Sequence, residues 1–145
     1  MKKVFGLVIV IHCFLGAYSQ NLEGEWVGKF IDTGSVNKGQ YECKLIFVKQ
    51  SNSGFQGYSI TYFKVNNEID SIICKLEYIN NIGKTSWFFD EREILRDPNN
   101  RQIVHCFQFI HFGIFKKKKK YFLHSRFDSD YTNCAYGVIN LTRVN

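Results

Sequence analysis

The sequence predicts an all-β chain, an eight-stranded antiparallel up-and-down β-barrel. Three observations predict it. Beyond residue 20, turn-forming clusters recur about every fifteen residues: Asp32–Gly39, Ser51–Gly54, Val65–Glu68, Asn80–Lys84, Asp97–Asn100, Lys116–Lys120 and Asp128–Asp130. Between them, apolar and polar residues alternate with the period of a half-buried strand. The chain is also rich in aromatic residues, with 14 Phe, 8 Tyr and 2 Trp against a single proline, a composition that suits pleated sheet. Seven turns imply eight strands, and eight strands close into a barrel wide enough to fill with side chains or to hold one small ligand.

The elements follow in order. Met1-Lys2-Lys3, an apolar run through Leu15 and the small residues Ala17 and Ser19 have the form of a secretory signal over 1–19, cut before Gln20. The apolar run is short of the roughly 20 residues of a membrane span. A single domain, 20–145, is expected to follow, exported to a periplasmic or extracellular space of a bacterium.

Strands are expected at 24–32, 40–49, 55–64, 71–79, 85–95, 102–115, 119–127 and 134–144. The second sets Tyr41, Cys43, Leu45 and Phe47 on one face, against Glu42 and Lys44. The fourth does the same with Ile72, Cys74, Leu76 and Tyr78 against Lys75 and Glu77. The fifth opens on Trp87-Phe88-Phe89 and runs out into Asp90-Glu91-Arg92-Glu93, read as a strand leaving the core for a solvated acidic rim. The sixth carries Phe107, Phe109, Phe112 and Phe115. If Lys117 and Lys118 form the turn that follows it, His111 faces His124.

Charge divides unevenly. Lys2 and Lys3 leave with the signal, so 17 basic residues remain against 13 acidic, a net of +4. Five of the 17 are Lys116–Lys120, and without them the domain sums to −1. The general basic field of a nucleic-acid binder is missing, and the basic character is one hairpin. That hairpin invites a nucleic-acid or membrane-surface reading, but with the rest of the domain near neutral it reads first as a solvated tip that guards strand edges, or as a loop offered to a protein partner.

Cys43, Cys74, Cys106 and Cys134 form an even set in an exported chain, which reads as two disulfides. Their spacings of 31, 32 and 28 residues put one on every second strand. Second-neighbour strands in a meander lie about 9.5 Å apart, beyond the roughly 7 Å between Cα atoms that a disulfide spans. Bonds within the wall are therefore excluded. Loop bonds, bonds across a flattened barrel, or buried free thiols remain. No cysteine or histidine spacing fits a zinc site; no metal or cofactor is expected.

Gly24-Glu25-Trp26, at the opening of the first strand, resembles the Gly-x-Trp pattern of the calycin barrels: lipocalins, avidin-like proteins and fatty-acid-binding proteins. Ser129-Asp130-Tyr131 is similar to the lipocalin Thr-Asp-Tyr motif, with Cys134-Ala135 following at a matching spacing. Ser stands in place of Thr, and the chain ends with the last strand where lipocalins continue into a helix. The resemblance implies that Trp26 closes one end of the barrel, with Arg143 stacked over it.

The leading expectation for function is a non-catalytic barrel binding a small apolar or aromatic ligand, lined by Phe47, Tyr62, Tyr78, Trp87, Phe89 and Phe109. The alternative is an exported interaction module, an inhibitor or envelope component with a side-chain-filled barrel, using Lys116–Lys120 and the acidic rim Asp90–Glu93. Acid–base chemistry would draw on His105, His111, His124, Asp128 and Asp130, but no nucleophile motif accompanies them. An outer-membrane barrel is disfavoured by the mid-strand charges Lys44, Lys75 and Glu77 and by the terminal Asn145.

Overall fold

The computed structural model describes residues 22–34, 38–50, 54–65, 67–83, 85–97, 107–129, 134 and 136–144. Residues 1–21, with the expected signal, lie outside that set, as do Cys106, His105, Asp130 and Tyr131. Eight strands follow one another: β1 (Gly24–Asp32), β2 (Gly39–Lys49), β3 (Phe55–Val65), β4 (Glu68–Asn81), β5 (Ser86–Arg96), β6 (Gln108–Lys117), β7 (Lys120–Ser129) and β8 (Gly137–Arg143). Each pairs antiparallel with the next, and β1 pairs with β8 to close the barrel. The seam runs from Trp26↔Arg143 to Asp32↔Gly137.

Alternation decides which side chains enter. Trp26 and Phe30, Cys43, Leu45 and Phe47, Cys74 and Leu76, Trp87 and Phe89, and Ile110, Phe112 and Ile114 are all buried. Lys29, Glu42, Lys44, Lys75 and Glu77 point outward between them; Lys29–Glu42 and Lys44–Glu25 pair across strands, and Lys75–Glu77 pairs along β4. Apolar inside and charged outside is the reverse of a membrane-spanning barrel.

The interior has two halves. At the end holding the chain entry and the 50–54, 82–85 and 118–119 turns, rings fill the space. Phe47 sits 5.7 Å edge-on to Phe89, and Phe89 lies 5.4 Å from Phe112. Phe55 packs edge-on to Trp87 at 5.3 Å. Trp26, Phe47 and Phe89 are at most 1 % exposed. The opposite half, toward the 33–38, 66–67 and 130–136 connections, is lined by smaller and more polar residues beneath the stacked pair Phe30 and Phe127.

Three expectations are corrected here. Tyr78 does not line the interior. The β4–β5 register breaks between Glu77 and Asn80, and Tyr78 takes a left-handed conformation at φ 53°. That bulge turns its ring outward, 59 % exposed, and Ile79 packs against the core in its place. Second, the hairpin turn is Lys118-Lys119, one residue later than expected. His111 therefore faces Arg126, and His124 faces Gly113. Third, half of the acidic rim is buried: Glu91, 5 % exposed, faces the interior, and Asp90, 3 % exposed, is covered on the outer wall.

Candidate functional site

Both ends of the barrel have chemistry, and the chain entry explains one of them. Trp26 is fully buried, and its indole Nε1 donates to the Leu22 carbonyl at 2.9 Å. The Arg143 guanidinium lies 6.0 Å from the Trp26 ring and 5.8 Å from that of Tyr121. A cation over an indole face contributes about 0.5–2 kcal/mol. Gly24 makes the arrangement possible. Its φ of +116° is open to glycine alone, and a Cβ there would stand 3.2 Å from Arg143 Nε. The Gly-x-Trp pattern thus has a local cause: the glycine leaves room for the arginine that lies over the tryptophan.

The other half holds a polar cluster inside the wall. In β5, the alternation that buries Trp87 and Phe89 carries the next inward position to Glu91. Ser59, on the inner face of β3, donates from Oγ to Glu91 Oε1 at 2.5 Å. Ser59 faces Cys74 across the β3–β4 pair, and Cys43 faces Thr61 across β2–β3. Both cysteines are free thiols. They stand on strands two apart, where the wall geometry forbids a bond. Burial pushes the Cys43 thiol up to about 12, with the nearby Glu42 and Glu91 carboxylates adding to the shift. Burial raises Cys74 as well, Glu91 again adding, while the Ser59 hydroxyl partly offsets it. Neither thiol is a nucleophile at neutral pH. Cys134 is disulfide-bonded.

A cleft lies in the wall toward the same end. The β2–β3 ladder ends at Glu42↔Tyr62, and beyond it Tyr41 and Phe63 border a cleft of about 440 Å³ with Gln40, Glu42, Tyr62, Lys64 and Ile69. Tyr41 is the next inward-facing position beyond Cys43 on β2, while Gln40, Glu42, Tyr62, Lys64 and Ile69 fall between the inward positions, so the cleft lies mainly on the outer face at the end nearest the polar cluster.

Of the six expected lining residues, Phe47, Trp87 and Phe89 do face inward, but they pack on one another. Trp87 Nε1 has no hydrogen-bond partner among the described residues, so the ring is held by its apolar area. Tyr62, Tyr78 and Phe109 are on the outside: Tyr62 is paired with the outward Glu42, and Phe109 with Asp90. Tyr78 and Phe109 take Arg92 between them, at 5.2 and 6.0 Å, and Arg92 bonds Asp90 at 2.7 Å. That cluster seals the outer wall over a buried carboxylate. A second outer groove, of about 930 Å³, runs past Phe88, Phe109, His111, Arg126 and Tyr136. His124 bonds Asn140 through Nδ1 at 2.6 Å on the outer face. Among the described residues, no group of three or more His, Cys, Asp or Glu is arranged to hold a metal ion.

Sequence reasoning missed Ser59 and Glu91. Their signal was present: Trp87-x-Phe89-x-Glu91 is one unbroken period-two run, and its third member is charged. No protein-family model, curated protein or solved structure matches the chain.

Proposed function

We propose that this chain is an exported, calycin-like barrel that binds one small ligand with an apolar body and a cationic or hydrogen-bond-donating group. The observation that carries this reading is the Glu91 carboxylate, buried inside the barrel with Ser59, in the half that rings do not fill. Small-molecule sites are mostly apolar, with a few convergent polar groups that fix orientation. Here Tyr41, Phe63 and Ile72 supply apolar walls, and Glu91 supplies the anchor. A buried carboxylate recognises an ammonium or amidinium group strongly, because charge-assisted hydrogen bonds gain in low dielectric. The ring-filled half is then the floor on which the ligand rests. The site is proposed to be non-catalytic.

The test is a thermal-shift and native mass-spectrometry panel of small aromatic amines beside their carboxylate counterparts. Amines should raise the melting temperature and carboxylates should not, and Glu91→Gln should remove the difference. Equal response to both sets, or a response untouched by Glu91→Gln, would overturn the reading.

A second reading is favoured by the rings that fill the lower half: a barrel that serves as a rigid scaffold for outer-surface contacts. It gains if no adduct survives native ionisation and no member of the panel shifts the melt.

A further inference from the structure

The closed end of the barrel carries the densest charge in the chain, and it is built at a conformational cost. Lys117 pairs with Lys120, which leaves Lys118 and Lys119 as a two-residue turn with φ of 46° and 68°. Two left-handed residues define a type I′ turn, whose favoured sequence is Asn-Gly because most L-residues are strained there. Two lysines occupy this turn instead. Retained strain of this kind clusters at functional positions. All five lysines are exposed, and none is in an ion pair among the described residues.

Apolar side chains flank them at the same end. Phe115, 47 % exposed, stacks outside the wall on Phe122 at 5.5 Å. Phe122 faces Thr142, and Val144, two residues on, is 46 % exposed at the chain's exit from β8. Ile82, 59 % exposed, projects from the 82–85 turn, which is tied to β6 by Ile114 N–H donating to the Thr85 carbonyl. Glu25, on the adjoining β1, is already paired with Lys44 at 3.0 Å. A soluble polyanion needs only the lysines. Exposed Phe, Ile and Val beside a polybasic tip match a surface that is anionic at its face and apolar just beneath, which describes a lipid bilayer.

We propose that this end docks peripherally on an anionic lipid surface, the lysines at the headgroups and Phe115 entering the acyl boundary. Docking there leaves the opposite rim, with its cleft, facing away from the membrane. The inference does not depend on the barrel holding a ligand.

The test uses the chain from Gln20, which contains all eight strands and omits the apolar 4–15 run that would bind lipid by itself. It is sedimented with vesicles of phosphatidylcholine alone or with 30 mol % phosphatidylglycerol. Each lysine near an anionic surface is worth roughly a fivefold gain in partition, so replacing all five with serine should weaken binding at least a hundredfold. All-arginine replacement should keep it. Raising NaCl from 0.1 to 0.5 M should weaken it about tenfold or more through shorter screening. Phe115→Ser, assayed well below its own melting temperature, should cost several-fold. Equal binding to neutral and anionic vesicles, no sedimentation at low salt, full binding by the serine variant, or no effect of Phe115→Ser would each overturn the proposal. Tight capture of heparin without sedimentation on vesicles would reassign the end to a soluble polyanion.

Discussion

Gly24→Ala should destabilise the barrel by far more than one added methyl group at a chain entry normally does. The new Cβ would be held at φ +116°, a conformation that only glycine adopts readily, at a cost of about 1–3 kcal/mol. It would also stand 3.2 and 3.3 Å from Nε and Nη2 of Arg143, forcing the guanidinium off the Trp26 and Tyr121 rings. Losing that contact adds about 0.5–1 kcal/mol. Against both stands a gain of about 0.4–1 kcal/mol from a stiffer unfolded chain. The net is a loss of about 1–3 kcal/mol, or roughly 3–6 °C in melting temperature per kcal/mol for a domain of this size. Urea unfolding followed by tryptophan fluorescence measures it directly. In an Arg143→Ala background the backbone strain remains but the arginine has nothing left to lose, so Gly24→Ala should cost about 0.5–1 kcal/mol less. A loss below about 0.5 kcal/mol, or the same loss in both backgrounds, would refute the account of the Gly-x-Trp entry.

Two further outcomes follow from the same geometry. Replacing Lys118-Lys119 by Asn-Gly should raise stability by about 1 kcal/mol, since it relieves two left-handed lysines in a type I′ turn; an unchanged or lower urea midpoint would contradict the turn assignment. Cys43 and Cys74 have folded-state thiol pKa values raised above the ordinary 9.0, that of Cys43 to about 12. The fold favours the neutral thiol, so their contribution is complete below pH 9 and is lost as the pH climbs from 9 toward 12. A Cys43→Ala/Cys74→Ala variant should therefore lose less stability than the parent between pH 9 and 11. Ellman's reagent should find both thiols only after denaturant is added, and rapid labelling of the folded protein would show that they are not buried.

Much of the architecture was legible because it rests on local signals. The turn clusters and the period-two pattern located the eight strands, and the two-strand spacing of the cysteines excluded bonds within the wall while leaving free thiols among three alternatives, which the structure decides for Cys43 and Cys74. The errors lie where one residue of register decides the outcome. Tyr78 continues the inward pattern of Ile72, Cys74 and Leu76, yet the bulge at its own position sends it out, and nothing in the sequence around it marks a left-handed tyrosine. The expected His111–His124 pair failed for the same reason: with five identical residues at the turn, sequence cannot choose its centre.

The chain by itself determined that there would be eight short antiparallel strands, an aromatic core, one concentrated basic tip and a tryptophan at the entry. These depend on composition and on periods of two, which a strand imposes whatever surrounds it. Tertiary structure decided which way Tyr62, Tyr78 and Phe109 face, and that Glu91 stands inside the wall with Ser59. It also decided that rings fill one half of the interior and polar groups line the other. Those outcomes depend on bulges, on the closing β1–β8 seam and on the burial of charge, where the energy of one side chain is set by neighbours distant in sequence.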